Sequence, residues 1–217
     1  MTTKSRKKRI VIWGAGGHGH VVADILLRLD DWQIAGFVDN VHAKGELVMG
    51  FPVLGDRGVL PALRADGVEA LAVAIGDPAA HEELMGAADH LGFEQPALVH
   101  PFVSISSCAR VGEGCVVCAG AIVGPQTDIR PGAILNSRAS LDHDVVVGRC
   151  THVAPGAIVC GYTSIGEGCW IGTGAVIRDH ISIGNRTIIG AGATVLKDIP
   201  GGVTAYGIPA KIVERKA

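Results

Sequence analysis

Hydrophobic residues recur at every sixth position through the second half of the chain. In steps of six from Ile105 to Val195, all sixteen positions carry Ile, Leu or Val. Because about a quarter of the chain consists of these residues, chance would produce such a run far less than once in a million trials. A small or β-branched residue often stands two positions earlier, as at Ala109, and glycine often stands one position later, as at Gly112. The second half is therefore a repeat of six residues.

The repeat has a direct structural interpretation. Side chains two positions apart on a strand face the same way, so the small residue and the aliphatic residue both point inward. The chain must then turn, and glycine is favoured where the turn needs unusual backbone angles. A strand and a corner in every six residues wrap the chain into a prism. The pattern runs without insertion over residues 103–198 and resembles the hexapeptide repeat of the left-handed parallel β-helix, which implies eighteen residues per coil.

The first hundred residues follow a different pattern, in which short apolar strands alternate with helices. Asp77 and Pro78 are typical of a helix start, with a capping side chain followed by proline at the first helical position. The alternation predicts a small parallel sheet covered by helices, which is a Rossmann-like α/β domain. Strands are expected at 9–13, 32–38, 70–75 and 95–99, and helices at 20–29 and 78–91. We expect domains at 1–100 and 101–200, followed by a C-terminal tail at 201–217.

Composition narrows the functional classes. A formal net charge of −2 argues against a protein that coats nucleic acid or anionic membranes. No stretch of about 18 consecutive apolar residues is present, so no transmembrane helix is expected. Six cysteines in a chain of this size suggest reduced, buried thiols and a cytoplasmic location. Cys115 and Cys118 form an isolated C-x-x-C without a second ligand pair, which makes a zinc site there improbable, and no metal is expected.

A glycine-rich motif opens the first domain. Gly14, Gly16 and Gly19 fit G-x-G-x-x-G between a predicted strand and a predicted helix, and Asp39 follows twenty residues after Gly19. Such a motif places a phosphate at a helix N-terminus, whichever pyrophosphate the ligand carries. Taken alone, the motif would favour an NAD-dependent oxidoreductase, but that interpretation leaves the repeat without a task.

Four segments together resemble one enzyme family: residues 14–19 (GAGGHG), 141–144 (LDHD), 151–156 (THVAPG) and 206–211 (YGIPAK). The chain is similar in these segments and in domain order to the sialic-acid O-acetyltransferase-like and bacillosamine-type sugar N-acetyltransferases. The resemblance implies a homotrimer with active sites between neighbouring prisms. It also implies acetyl transfer from acetyl-CoA to the amine of a nucleotide-linked amino sugar.

The resemblance implies that His143 is the general base and that Asp144 orients it. This assignment is chemically reasonable because an amine that attacks a thioester must lose a proton, and imidazole titrates near neutral pH. A neighbouring carboxylate fixes the tautomer and favours the imidazolium that forms. Family members often carry Glu where this chain has Asp144, and Asp142 is a rival partner for the imidazole, so the sequence leaves the choice open.

Two sets of ligand contacts also follow from the resemblance. The nucleotide sugar would lie in the glycine cradle, and acetyl-CoA would lie along the prism. The expected substrate-binding residues are Gly14, Gly16, His18, Gly19, Asp39, Asn40, Gly76 and Asp77. The expected acetyl-CoA-binding residues are His152, Gly161, Thr173, Ala191 and Lys211. Coil arithmetic adds that Gly156, Gly174 and Gly192 stack on one edge, where small residues leave the backbone open to a narrow pantetheine arm.

His152 occupies a position with a distinct geometry. It precedes an inward-pointing residue, so its side chain should point outward, and it lies nine residues, or half a coil, after His143. Two points half a coil apart lie on opposite sides of one prism. We therefore expect His143 and His152 to meet across a subunit interface.

The sequence thus predicts a cytoplasmic, acetyl-CoA-dependent N-acetyltransferase that acts on a UDP-, GDP- or dTDP-linked 4-amino-deoxy sugar for a surface polysaccharide or glycoprotein. O-acetylation of a sialic-acid-like sugar remains an alternative, because a histidine base serves a hydroxyl equally well. A non-catalytic partner of a sugar synthase is a third possibility.

Overall fold

The computed structural model describes residues 6–213 and contains an N-terminal α/β domain followed by a prism of short strands. The domain has a five-stranded sheet with the order β3-β4-β2-β1-β5, in which only β3 is antiparallel to its neighbour. Its strands are β1 (Lys8–Trp13), β2 (Trp32–Val38), β3 (Leu47–Val48), β4 (Phe51–Gly55) and β5 (Ala70–Val73). Its helices are α1 (Gly17–Leu27), α2 (Leu60–Ala65), which follows a 3-10 turn at Arg57–Val59, and α3 (Pro78–His90).

Most of the expected elements of this domain are present, with shifted ends. Helix α3 begins at Pro78 with Asp77 capping the backbone N–H of Ala80, as predicted. Helix α1 begins at Gly17 rather than at residue 20, and no side chain caps it, so the sequence carries no start signal there. The short elements β3, β4 and α2 were not predicted. The strand expected at 95–99 is reduced to β6 (Leu98–Val99), and it belongs to the prism rather than to the sheet.

The second half forms a left-handed parallel β-helix with three faces. As far as Val195, each strand pairs in parallel with the strand eighteen residues later, as Ile122 does with Ser140. The last parallel pair, Ile188 with Thr204, is sixteen residues apart. Face 1 contains β7 (Ser104–Ile105), β10 (Ile122–Val123), β13 (Ser140–Leu141), β16 (Ile158–Val159), β19 (Val176–Ile177) and β22 (Thr194–Val195). Face 2 contains β8 (Arg110–Val111), β11 (Asp128–Ile129), β14 (Val146–Val147), β17 (Ser164–Ile165) and β20 (Ser182–Ile183). Face 3 contains β6, β9 (Val116–Val117), β12 (Ile134–Leu135), β15 (His152–Val153), β18 (Trp170–Ile171), β21 (Ile188–Ile189), β23 (Thr204–Tyr206) and β24 (Lys211–Val213).

The core of the prism consists of the residues that define the repeat. Of the sixteen aliphatic positions, fourteen are buried, and only Ile105 and Val111 in the first coil are partly exposed. The small residues two positions earlier, such as Ala133 and Ala157, are fully buried beside them. Small and large side chains therefore alternate inside the prism and fill a narrow triangular cross-section.

Face 3 carries the N-terminal domain. Its outward-pointing residues Leu98, Val116 and Ile134 are buried in the same cluster as Val22 of α1. Met85 of α3 packs at the adjoining corner, where a Cβ added to Gly132 would overlap its sulfur atom. The two halves of the chain therefore share a continuous apolar interface along the first three coils of the prism.

The transition between the halves can be located from strand pairing. Leu98–Val99 already pairs with the prism strand Val116–Val117, so the β-helix begins just before residue 100. At the other end, β23 and β24 extend face 3 to Val213. Residues 1–5 and 214–217 of the predicted domain and tail lie outside the described part of the chain. Within that part, no helix has the length and hydropathy needed to cross a membrane.

Candidate active site

His143 lies on the corner between face 1 and face 2, opposite face 3 with its attached domain. The corner connects β13 to β14 and contains His143 and Asp144. Asp144 adopts a positive φ of 55°, a left-handed conformation that Asp tolerates better than most residues. The shape of this turn places the carboxylate beside the preceding imidazole, and both side chains remain partly exposed.

The structure places Asp144, rather than Asp142, against the imidazole of His143. The Oδ2 atom of Asp144 is 2.9 Å from Nδ1 of His143. Asp142 instead accepts the backbone N–H of His143 through Oδ1 at 2.8 Å. An ionised carboxylate can only accept a hydrogen bond, so Nδ1 of neutral His143 carries the proton and donates to Asp144. Nε2 then has a free lone pair.

Two further residues fix the position of the His143 ring. A Cβ on Gly161, one coil above, would lie 2.6 Å from Cε1 of His143 and 2.8 Å from Nε2. The ring therefore occupies space that only glycine leaves free. Tyr162 meets the imidazole edge to face with ring centroids 5.0 Å apart, and His180 stacks on Tyr162 at 4.8 Å. Tyr162 was not expected from the sequence, because its position is an ordinary corner of the repeat.

The glycine motif forms an open cradle at the start of α1. Gly14 has a positive φ of 114°, and a Cβ there would lie 2.8 Å from the carbonyl oxygen of Ala74. A Cβ on Gly19 would overlap the carbonyl oxygen of Gly14. These two glycines are needed for close packing, whereas Gly16 and Gly17 are exposed with free space around them. The helix N-terminus is therefore accessible to a phosphate at Gly16 and Gly17.

Asp39 holds the cradle in place. Its Oδ2 accepts the backbone N–H of Ala15 at 2.8 Å, and its Oδ1 accepts those of Val41 and His42 at 2.7 and 3.1 Å. Burial alone would raise the pKa of Asp39, but these three donors together lower the pKa below its ordinary value. The carboxylate thus connects the ends of β1 and β2, and Asn40 is exposed beside it.

The opposite wall of the crevice is the segment Ile75–Gly76 after β5. His152 reaches this wall from face 3 of the prism, where its Nδ1 donates to the carbonyl oxygen of Gly76 at 2.9 Å. Nε2 of His152 lies 3.1 Å from Nδ2 of Asn136, and Trp170 packs against its ring. His152 points outward as predicted, but it is buried because the N-terminal domain of the same chain covers it.

Two more histidines lie beside His152 under the crevice. His81 of α3 is buried, and its Nδ1 donates to the carbonyl oxygen of Ile75 at 3.0 Å. His18 lies with its ring centroid 6.2 Å from that of His152. Burial, reinforced by the neighbouring histidines, lowers the pKa of His18 and of His81 to about 4. Nε2 of each ring is buried without a hydrogen-bond partner among residues 6–213.

The expected acetyl-CoA residues occupy different corners of a single prism. Gly161 lies on the His143 corner, whereas Thr173 and Ala191 are exposed on the corner between face 3 and face 1. On that same edge, Gly156, Gly174 and Gly192 have positive φ values and free space around them. Lys211 is exposed in β24 at the upper end of face 3. One subunit therefore does not bring these residues together.

A cavity of about 470 Å³ lies between the N-terminus of α3 and face 3, lined by residues that include Asp77, Trp170 and Arg186.

The two cysteines of the C-x-x-C pair point in different directions. Cys115 points into the prism core and Cys118 points into the α/β domain, so the two thiols face opposite sides of one strand. Burial raises the pKa of both to about 12. Within residues 6–213, no group of three or more His, Cys, Asp or Glu is placed to hold a metal ion.

Comparison with known families matches both halves of the chain. Residues 9–87 match the PglD N-terminal domain. Residues 162–197 match the bacterial transferase hexapeptide of six repeats, and residues 109–125 match the hexapeptide repeat of succinyl-transferase. Among curated proteins, the bifunctional protein GlmU of a Jannaschia species is 26% identical over 158 residues, which are 54% of this chain. The chain spans about a third of the length of such curated relatives.

Solved structures resemble the chain over 94–95% of its length. A perosamine N-acetyltransferase mutant from Caulobacter crescentus, in complex with CoA and GDP-perosamine, is 38% identical with a TM-score of 0.92, covering 94% of this chain and 96% of that one. The acetyltransferase domain of PglB from Neisseria gonorrhoeae is 36% identical with a TM-score of 0.91, covering 95% and 100%. WeeI from Acinetobacter baumannii is 28% identical with a TM-score of 0.82, covering 95% and 100%.

Proposed function

The chain belongs to the bacillosamine- and perosamine-type sugar N-acetyltransferases, and from this premise we propose that it transfers the acetyl group of acetyl-CoA to the amine of a nucleotide-linked 4-amino-deoxy sugar. The observation that carries the proposal is the contact of 2.9 Å between Nδ1 of His143 and Oδ2 of Asp144. This contact turns an imidazole at a prism corner into a base with a defined free nitrogen.

The chemistry follows from that free nitrogen. As the sugar amine attacks the thioester carbonyl of acetyl-CoA, Nε2 of His143 accepts a proton from the nitrogen. The imidazolium that forms is stabilised by Asp144 at Nδ1. When the tetrahedral intermediate collapses, the C–S bond breaks and the sulfur of CoA leaves as a thiolate. The thiolate then accepts from His143 the proton that came from the amine. The products are the N-acetylated sugar and CoA, and His143 is neutral again.

The acceptor sugar would be held by the N-terminal domain. Gly16 and Gly17 offer backbone N–H groups at the start of α1 to a diphosphate, and Asp39 with Asn40 lies where a nucleoside would follow. His18 and the segment Gly76–Asp77 would contact the sugar. The Caulobacter relative was solved with GDP-perosamine, so we place GDP first among the nucleotides to be tested, followed by UDP and dTDP.

We propose that a second copy of the chain completes this site. His143 lies on the corner opposite face 3, whereas the sugar-binding crevice opens above face 3 of the same chain. Face 1 exposes three apolar side chains in one column: Ile122 at 50%, Ile158 at 45% and Val176 at 37%. Contact of this column with neighbouring prisms would bury it and bring the His143 corner of one subunit to the crevice of the next. We therefore propose a homotrimer with active sites between subunits.

The same packing gives acetyl-CoA a defined path. The His143 corner with Gly161 would face the neighbour's edge that carries Thr173 and Ala191, and the coenzyme would lie in the groove between them. In this arrangement His152 belongs to the crevice subunit and would approach the acetyl group from the side opposite to His143. Lys211, at the upper end of face 3, would contact the coenzyme phosphates.

Location and pathway are also part of the proposal. All six cysteines lie in the described part of the chain as free thiols, which suits a reducing compartment, and we place the enzyme in the cytoplasm. An N-acetylated, nucleotide-activated sugar is a building block for glycosyl transfer. The product would therefore feed a surface polysaccharide or a glycoprotein.

The test is a thiol-release assay with acetyl-CoA and a panel of GDP-, UDP- and dTDP-4-amino-deoxy sugars, with free sialic acids included. We expect turnover with one nucleotide sugar and a loss on the order of 100-fold or more in His143→Ala. Turnover of a sialic acid in place of the amino sugars would favour O-acetylation. Full activity of His143→Ala would contradict the assignment of the base.

A further inference from the structure

The crevice wall Ile75–Gly76 is held from two directions by histidine side chains. Strand β5 ends at Val73, so the carbonyls of Ile75 and Gly76 lie beyond its strand pairing. His81 of α3 donates to the first carbonyl at 3.0 Å, and His152 of the prism donates to the second at 2.9 Å. Two successive carbonyl groups are thus fixed by two different parts of the molecule.

In both histidines, the hydrogen bond to the carbonyl requires the same tautomer of the imidazole. A carbonyl oxygen only accepts, so Nδ1 must carry the proton in each ring. The His81 side chain is almost fully enclosed, with 1% of its surface exposed, and His152 has 5% exposed. A donor lost from either position would leave a carbonyl without its partner and free the segment to move.

The segment also supports the glycine cradle across the crevice. A Cβ built on Gly14 would lie 2.8 Å from the carbonyl oxygen of Ala74 and 2.9 Å from the side chain of Ile75. The segment therefore packs directly against Gly14. A shift of Ile75 would therefore alter both walls of the crevice. His81 does not belong to the cradle, yet it determines where the opposite wall stands.

We infer that His81 is a positioning residue for the acceptor sugar, which acts by fixing the carbonyl of Ile75 so that the 75–77 wall holds the sugar against the cradle. This inference rests on the proposed function, because it assigns the crevice to a nucleotide sugar. His81 itself contacts the wall and not the reacting atoms.

Three variants separate the donor from the bulk of the ring. His81→Asn places an amide N–H close to the position of Nδ1 and can still donate to Ile75. His81→Gln carries its amide farther from the backbone, near the position of Nε2, and cannot make the same contact. His81→Leu keeps apolar volume without any donor. If the donor is what matters, Asn behaves like the wild type, and Gln and Leu behave alike.

The experiment combines steady-state kinetics with hydrogen–deuterium exchange of the 74–80 segment. We expect Leu and Gln to raise KM for the nucleotide sugar about 10-fold, as the loss of one hydrogen bond would. KM for acetyl-CoA should stay within about 2-fold of the wild type, and exchange in the segment should rise. Asn should restore both the KM and the protection from exchange.

Each other outcome overturns the inference. Unchanged exchange in His81→Leu would show that the wall is not fixed by His81. Increased exchange with an unchanged KM for the sugar would show that the wall does not position it. Failure of Asn to restore the KM would show that the donor is not the relevant group.

Failure of the proposed function would be recognised separately. If the wild type acetylates none of the amino sugars, the proposed function fails. The inference is then judged by exchange together with calorimetric binding of the GDP-, UDP- and dTDP-linked amino sugars to the wild type and to His81→Leu. Binding of a nucleotide sugar equally well by both proteins, or by neither, would overturn the inference as well.

Discussion

The imidazole of His143 lies against the α-carbon of Gly161, the residue at the equivalent position of the next coil. A Cβ at residue 161 would approach Cε1 to 2.6 Å and Nε2 to 2.8 Å, well inside the closest normal contact. Gly161, which the sequence predicts to contact acetyl-CoA, thus also leaves the space in which the ring of the proposed base lies. The orientation of Nε2 depends on a hydrogen atom being the whole side chain at this position.

Gly161→Ala should lower kcat on the order of 100-fold by displacing the His143 ring. KM for the nucleotide sugar should stay within about 2-fold, because in the proposed trimer the sugar is held by the cradle of the neighbouring N-terminal domain and not by Gly161. The matched control is Gly86→Ala on α3, where an added Cβ meets no atom within 4 Å. Wild-type kcat in the Gly161 variant would show that the ring position is not critical.

The two aspartates beside His143 should differ in their effects. Asp144→Asn removes the charge at Nδ1 and can present an amide N–H there, which favours the wrong tautomer, so kcat should fall by about 100-fold or more. Asp142→Asn keeps an oxygen that can accept the backbone N–H of His143, so its kcat should stay within about 3-fold of the wild type. Equal losses in the two variants would contradict the pairing with Asp144.

A charge on face 1 should dissociate the proposed trimer. Ile158→Glu puts a carboxylate into the apolar column, and burying it without a partner is strongly unfavourable. We expect light scattering to report a monomer, and acetyl transfer to fall on the order of 100-fold while nucleotide binding persists. Leu27→Glu, at the last residue of α1, which is 58% exposed, controls for added charge. A trimer with full activity in Ile158→Glu would exclude face 1 as the interface.

Acid should destabilise the protein through His18 and His81. The pKa of His18 is lowered to about 4 from an ordinary value of 6.5, so the unfolded chain binds the extra proton between these values. The free energy of unfolding should therefore fall from about pH 6.5 towards pH 4, by up to about 3 kcal/mol for this group. His18→Asn should flatten the profile, measured by denaturant unfolding at fixed protein concentration.

The control for this profile lies on the same helix. His20 is exposed, so His20→Asn should leave the slope of the wild type unchanged. His81 has the same lowered pKa as His18, with burial as the main cause and the nearby charges of His152 and Arg149 adding to it. A double variant at His18 and His81 should be flatter still, and a slope unchanged by either substitution would contradict the assignment.

The prism could be predicted from the sequence because its information is periodic. Every sixth residue faces inward, so the identities of Ile129 and Leu135 alone place them in the core, and the orientation of His152 follows from its neighbour Val153. The same arithmetic placed His143 on a corner. The left hand of the coil came from the resemblance, because a spacing of six does not specify handedness.

Contacts between the halves could not be predicted in the same way. Leu98, Val116 and Ile134 are apolar residues that point outward at intervals of eighteen, a signal that this face is covered, but nothing in the spacing says by what. In the sequence, His81 is an ordinary histidine of an amphipathic helix, and only the folded structure shows that it contacts the carbonyl of Ile75. Its importance is a matter of tertiary geometry rather than of sequence pattern.

Up to Val195, the constant spacing of eighteen residues between paired strands gives the prism something like a reading frame. Deleting a complete coil would leave every remaining side chain on its own face and every corner in its column, and would only shorten the prism by about 4.8 Å, the distance between neighbouring strands. Deleting one residue would turn inward side chains outward and move every later corner out of its column. In this half of the protein, the loss of a complete coil should therefore be better tolerated than the loss of a single residue.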